Sequence, residues 1–271
     1  MSFLNKPALK KLKCLESYIS KFNKAVIAYS GGVDSSLLLK LSCDVLGKQN
    51  VLAVTAFSET YPQKDKEQAL SFIRKYSVNA ITINTLELQN PEFNKNPKNR
   101  CYHCKHELFA KITAIAKKHN IPVIFDGSNY DDLSDFRPGR KAVKQFKVKS
   151  PLLENKITKQ EVREISRHLR LPTWNKPQMA CLASRIPYGT RITTNSLTKI
   201  DKAENYLRGL GFYNVRVRHY GEIARIEVSK EQINKLFHTN TSEKILRKFK
   251  TLGYKYITID LEGYRTGSMN L

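Results

Sequence analysis

Hydrophobic positions along this chain follow two rhythms. Leu9, Leu12, Leu15, Ile19 and Phe22 recur three to four residues apart and predict an amphipathic helix over Pro7–Phe22. Short apolar runs then predict strands at Ala25–Tyr29, Val51–Phe57, Ala80–Asn84 and Val123–Asp126. Helical periodicity separates them at Asp34–Leu46, Pro62–Tyr76 and Lys105–His119, with polar Asn90–Arg100 expected as a loop. Cys14 and Cys43 fall inside helical patterns and are expected as small core residues. This alternation predicts an α/β fold, a parallel sheet with helices on both faces. Residues Asn129–Leu153 are polar and poorly periodic, and Thr158–Leu169 returns to helix behind the capping box Thr158-Lys159-Gln160-Glu161. Pro172–Arg191 carries three prolines and reads as a loop. Beyond it come a helix (Ser196–Leu210), two strands (Val215–His219, Ala224–Val228), a helix (Lys230–Leu252) and a strand (Tyr256–Leu261). That αββαβ order predicts a small C-terminal α+β domain, so the expected division is 1–189 and 190–271.

The first strand runs into Ala28-Tyr29-Ser30-Gly31-Gly32-Val33-Asp34-Ser35-Ser36, and an apolar helix begins at once. Two glycines allow a sharp turn and a close ligand approach. The amides then point outward at a helix N-terminus, where the dipole favours an anion. Ser30, Ser35 and Ser36 add hydroxyls. No lysine follows the second glycine, so this is neither GxxxxGK[ST] nor GxGxxG. Ser58, Asp126 and Gly127 lie at other strand ends, where ligands of such sheets bind.

The 271 residues carry a formal net charge of +23. Such a field attracts nucleotides, nucleic acid and other anions. The basic residues are scattered, which suits a general phosphate preference as well as RNA and makes a nucleic-acid partner the weaker expectation. No apolar run reaches membrane-spanning length and Met1–Lys13 has no signal-peptide pattern, so a soluble cytoplasmic protein is expected. Five cysteines, an odd number, do not suggest a disulfide framework.

Two further stretches carry chemistry. In Asp126-Gly127-Ser128-Asn129-Tyr130-Asp131-Asp132, running on to Asp135-Phe136-Arg137-Pro138-Gly139-Arg140, Asp132 and Asp135 are candidate Mg²⁺ ligands. Arg137 and Arg140 are candidate phosphate or carboxylate binders. In Arg100-Cys101-Tyr102-His103-Cys104-Lys105, the CxxC can be a redox pair, half a zinc site or part of an iron–sulfur site. The other loop cysteine is Cys181, in Met179-Ala180-Cys181-Leu182-Ala183-Ser184-Arg185-Ile186-Pro187-Tyr188-Gly189. Arg185 and Arg191 nearby favour its thiolate. Arg216 and Arg218 alternate on one strand and share a face.

The SGGVDS loop resembles the PP-loop of the ATP pyrophosphatase superfamily. With RCYHCK, DGSNYDDLSDFRPGRKA, ACLASRIPYG and the terminal DLEGYRTGSMN, the chain resembles the LarE family of ATP-dependent sulfur transferases over nearly its whole length. The resemblance implies that ATP adenylates the carboxylates of pyridinium-3,5-biscarboxylic acid mononucleotide, releasing pyrophosphate. Sulfur then converts them to thiocarboxylates for a nickel-pincer cofactor. It implies that Ala28, Ser30, Gly31, Gly32, Val33, Asp34, Ser35, Ser36 and Gly127 hold the nucleotide with Mg²⁺, and that Asp34, Ser35 and Cys181 act in catalysis. It places Arg185, Arg216, Arg218 and Arg265 on substrate and Asp132 and Glu204 on metal. Members with only the Cys181 equivalent sacrifice its sulfur. Members with the CxxC are thought to hold a [4Fe–4S] cluster, here on Cys101, Cys104 and Cys181, fed by sulfide or cysteine-derived sulfur. A homo-oligomer is expected, with the second domain serving substrate binding or assembly. The rival reading is a PP-loop tRNA thiolase.

Overall fold

The computed structural model describes residues 4–134, 138–265 and 268–269. In chain order its elements are α1 (Lys6–Ile19), β1 (Ala25–Ala28), α2 (Val33–Leu46), β2 (Val51–Phe57), α3 (Gln63–Tyr76), β3 (Ala80–Asn84), α4 (Pro91–Asn94), α5 (Arg100–Lys118) and β4 (Ile124–Phe125). There follow α6 (Arg140–Gln145), α7 (Pro151–Glu154), α8 (Lys159–His168), α9 (Thr194–Gly209), β5 (Arg216–Tyr220), β6 (Ile223–Glu227), α10 (Ile233–Leu236), α11 (Thr239–Thr251) and β7 (Tyr256–Ile259).

The chain forms two compact units. The first comprises residues 1–58, 65–87 and 99–179; the second comprises 59–64, 88–98 and 180–271. The division near the C-terminal side falls between Met179 and Ala180, ten residues ahead of the expected boundary, and two earlier excursions join the second unit. One reason lies in hydrogen bonds. Buried Asn96 donates to Ile186 O (3.2 Å) and Pro187 O (2.8 Å), and Gly189 and Ile192 amides donate to Asn96 O (3.0 Å) and Asn94 O (2.8 Å). Leu182 N–H donates to Thr60 O at 2.8 Å.

The first unit is a parallel four-stranded sheet in the order β3-β2-β1-β4, flanked by helices. β1, β2 and β4 are apolar almost throughout because both faces are covered, whereas edge strand β3 alternates between exposed and half-buried. Ile27 lies between Ala53 of β2 and Phe125 of β4. The winding changes direction at β1, since α2 leads to one neighbour and the later chain returns as the other. Ligands on such sheets bind beyond the carboxyl ends of strands at that switch. The Gly loop is the segment leaving β1 there.

On α1, Leu12, Leu15 and Ile19 are buried, but Leu9 is exposed and so is Cys14, contrary to expectation. Cys14 is one helical step of about 100° from Leu15 and turns outward. Cys43 is buried as expected. Helix α5 begins at Arg100 rather than Lys105, so both cysteines of the CxxC lie on its first turns.

The second unit has a three-stranded sheet, order β5-β6-β7. β5 and β6 form an antiparallel hairpin and β6 and β7 are parallel. α9 and α11 cover it through Leu207, Val217, Ile226, Ile245 and Phe249. The helix expected over Lys230–Leu252 is interrupted: a 3₁₀ turn and α10 precede Phe237, and His238 (φ −63°, ψ 126°) is extended before α11. No described helix is long and apolar enough to cross a membrane.

Candidate functional site

In the first unit, β1 ends at Ala28 and Gly31 turns the chain with φ +70°, a conformation glycine adopts without strain. Gly32 is the N-cap of α2, leaving Val33, Asp34 and Ser35 on its first turn. The loop is braced from within. Ser35 Oγ donates to Gly32 O (3.2 Å), receives the Ser30 amide (3.3 Å) and touches Ser30 Oγ (3.1 Å). Ser36 is fully buried with its Oγ 3.5 Å from the Tyr29 hydroxyl, and burial pushes the Tyr29 pKa well up. Gly127 packs against this turn: a Cβ there would meet Ser35 N at 3.0 Å and Ser35 Cα at 3.2 Å.

Polar side chains from distant segments surround the loop. Asn129 Nδ2 donates to Asp34 Oδ1 (3.0 Å), while its backbone amide donates to Asp132 Oδ2 (3.1 Å). Asn129 thus touches both Asp34 and Asp132, and Asp132 closes a capping box on the 3₁₀ turn Tyr130–Leu133. Lys159, at the start of α8, makes an ion pair with Asp34 Oδ2. Lys176 donates to Gly31 O (3.2 Å) and pairs with Asp65 (3.0 Å). Asp126 accepts from Ser128 Oγ and Ser150 Oγ, both at 2.6 Å, and faces Lys105 Nζ at 3.6 Å. Asn129, Lys159 and Lys176 were not singled out from the sequence. The one signal was negative: a phosphate loop without its own lysine. Asp135 and Arg137 lie outside the described residues.

In the second unit, Cys181 is the N-cap of the 3₁₀ turn Leu182–Arg185 and is half-buried. Arg185, expected on substrate, points into the protein instead. It is 1% exposed; its Nε and Nη2 reach the two oxygens of Glu204 (2.8 and 3.0 Å). Its Nη1 donates to Ala180 O (2.8 Å), Cys181 O (3.1 Å) and Ser184 Oγ (2.9 Å). Arg185 therefore fastens the cysteine turn to α9.

Glu204, expected on metal, is fully buried and also accepts from Arg208 (2.7 Å) and the Val217 amide (3.1 Å). These four donors occupy its acceptor positions in the structure. Burial by itself would raise its pKa; the charges of Arg185 and Arg208 outweigh that and hold it down at about 2.

Arg218 is spent in the same way. It grips Glu227 with Nε and Nη2 (2.8 and 2.7 Å) and donates Nη1 to Ser184 O (3.0 Å). Two buried Arg–Glu pairs thus clamp the turn that carries Cys181. Arg216 differs. Its side chain lies over the Tyr264 ring (4.9 Å), and burial, then repulsion from Arg185, lowers its pKa to about 10. Its Nη1 also donates to Val215 O at 2.8 Å. Arg265, half-exposed, pairs with Glu262 three residues away.

The chain is 34% identical over 96% of its length to pyridinium-3,5-bisthiocarboxylic acid mononucleotide synthase of Lactiplantibacillus plantarum, covering 94% of that protein. The chain belongs to the LarE family. It is also 42% identical over 96% of its length to an uncharacterized protein of Synechocystis sp., covering 97% of it. To one of Methanocaldococcus jannaschii it is 34% identical over 98%, covering 100%. Residues 9–117 match the family described as NAD synthase, the stretch that contains the Gly loop. These relatives do not show the three-cysteine form of the LarE family. Cys101 is exposed and Cys104 lies with its sulfur 3.8 Å from Glu87 Oε1, both in the first unit, whereas Cys181 belongs to the second. No group of three or more His, Cys, Asp or Glu able to hold a metal ion occurs among the described residues.

Proposed function

We propose that this protein is a cytoplasmic ATP-dependent sulfur transferase acting on pyridinium-3,5-biscarboxylic acid mononucleotide; its L. plantarum relative is named pyridinium-3,5-bisthiocarboxylic acid mononucleotide synthase. The observation that carries this reading is the joint presence of a lysine-free Gly loop at the sheet's switch point and a cysteine turn clamped by Arg185 and Arg218.

The loop amides with Ser30 and Ser35 hold the β- and γ-phosphates, leaving the α-phosphorus open, while Ser36, buried against Tyr29, braces the turn from behind. A substrate carboxylate oxygen attacks it, the bond to the bridging oxygen breaks and pyrophosphate leaves. Mg²⁺ in nucleotide sites takes one or two carboxylates with phosphate oxygens, and Asp34 and Asp132, joined through Asn129, fit that requirement. The ion would neutralise phosphate charge.

Cys181 thiolate then attacks the acyl carbon and AMP leaves, giving a thioester. Removal of a Cα proton with cleavage of the Cβ–S bond releases the thiocarboxylate and leaves dehydroalanine at 181. Cys181 is the sulfur source in this proposal, and no step runs through a cluster. Arg216 holds the substrate phosphate.

Incubation with ATP, Mg²⁺ and the biscarboxylate mononucleotide tests it. AMP, pyrophosphate, a thiocarboxylate product and loss of the elements of H₂S from Cys181 are expected. ADP and phosphate as products, or thiolation of tRNA alone, would refute it.

A further inference from the structure

Within the first unit, α1 buries Ala8, Leu12, Leu15 and Ile19 and turns its other face outward. Lys6, Lys10 and Lys13 succeed one another on that face at spacings of four and three residues, so they form one stripe. The stripe borders a groove of about 580 Å³ that Leu9, Cys14 and Tyr18 also line. Leu9 has the spacing of a core leucine, yet it is 40% exposed. The charge around it is one-sided. No carboxylate lines the groove, and Glu16 of the same helix lies outside it. The carboxylates that reach this region from other elements are engaged. Glu154 accepts from Tyr18 Oη at 2.7 Å, Glu161 pairs with Lys11 at 2.7 Å, and Glu164 accepts from Asn5 and Gln160. Among the described residues, Lys6, Lys10 and Lys13 make no ion pair.

The shape and chemistry of the groove select its occupant. From Lys6 to Tyr18 it follows α1 for about 18 Å, roughly three turns, which is longer than a single small anion needs. A bilayer requires a broad apolar face to insert, and Leu9 with Cys14 is too little. Single-stranded nucleic acid stacks on open rings, but the Tyr18 hydroxyl is held by Glu154 and Lys21 lies 5.8 Å from its ring centre. A helix with apolar side chains flanked by carboxylates meets both the exposed leucine and the unpaired lysines. We propose that this groove docks an acidic amphipathic helix of a partner protein, its apolar side chains against Leu9 and its carboxylates against Lys6, Lys10 and Lys13. None of these residues belongs to the Gly loop or the cysteine turn, so the docking does not rest on the proposed reaction.

Fluorescence anisotropy on the full chain tests it with a labelled helical peptide of about five turns that carries leucine on one face and glutamate on either side. A lysine counterpart of the peptide, phosphatidylglycerol vesicles and single-stranded RNA are the comparison probes. The acidic peptide binds wild type, the lysine peptide does not, and added salt weakens the binding. Lys6→Glu, Lys10→Glu and Lys13→Glu combined weaken it by roughly tenfold or more, because three ion pairs give way to repulsion. Leu9→Ser weakens it by about fivefold. Both variants melt about where wild type does, since every replaced side chain is exposed. A second measurement needs no variant: the peptide shields Cys14 from maleimide, read by mass spectrometry, and leaves exposed Cys101 as reactive as before. An acidic peptide that does not bind, equal binding to the charge-reversed variant, or Cys14 labelled equally with and without peptide would overturn the proposal. So would tighter binding of vesicles or RNA through the same three lysines, or sedimentation showing that wild type self-associates through this face and the charge-reversed variant does not.

Discussion

Arg185 and Glu204 form a fully buried, two-pronged ion pair whose guanidinium also holds the carbonyl oxygens of Ala180 and Cys181. The consequence is mechanical. The position of the sulfur depends on a fully buried carboxylate of α9. Removing one partner strands a buried charge, so Arg185→Met or Glu204→Gln is expected to cost about 3–5 kcal/mol of stability. Urea denaturation of each variant measures it; the double replacement by apolar residues should recover part of the loss.

The same pair sets an acid dependence. Glu204 is charged in the folded protein down to about pH 2, against an ordinary value of 4.5. Between those values the unfolded chain binds the extra proton, so stability rises with pH. The contribution is complete above about 4.5 and is lost as pH falls toward 2. Urea midpoints recorded from pH 5 downward should fall steeply for wild type and less steeply for Glu204→Gln.

Gly127 lacks room for a side chain, since its Cβ would press on the backbone of Ser35. Gly127→Ala should displace the first turn of α2 at a cost of about 1–3 kcal/mol. It should raise the KM for ATP in pyrophosphate exchange. Asp34→Asn and Ser35→Ala should impair that exchange with smaller effects on the melting temperature.

Arg216 and Arg218 alternate on β5 but should fail in different ways. Arg218→Met removes the two-pronged partner of fully buried Glu227, leaving it only Arg225 at 3.2 Å and Ser268 at 3.3 Å among the described residues, and should lower the melting temperature. Arg216→Met relieves a crowded cation and should raise the KM for the mononucleotide with little loss of stability. Thermal melts and substrate titrations on both variants separate the two effects.

Cys181→Ala should abolish thiocarboxylate formation while pyrophosphate exchange continues, because adenylation precedes sulfur attack. Cys101→Ser and Cys104→Ser should retain one sulfur transfer per chain. Product counting against protein concentration checks this; several turnovers with bound iron, lost in either CxxC variant, would point to the cluster instead.

Periodicity made the parallel sheet, the Gly loop and the second sheet legible from the sequence, because each depends on neighbours a few residues apart. The SGGVDS turn needs only Gly31 and Gly32 to bend and α2 to follow, so its chemistry could be read locally. Helix continuity past Phe237 misled, since apolar spacing persists across a break set by the extended backbone at His238. What the charged residues do was decided by tertiary structure. Arg185, Arg216 and Arg218 look alike in sequence, but Arg185 grips Glu204, Arg218 grips Glu227, and Arg216 lies over the Tyr264 ring. Glu204 was expected to hold a metal, and its oxygens are filled by guanidinium and amide donors contributed by the cysteine turn, its own helix and β5. Lys159 and Asp34 are 125 residues apart, and only the folded chain brings their charges together. A charge is compensated by whatever lies within a few ångströms, and that distance carries no trace in local spacing.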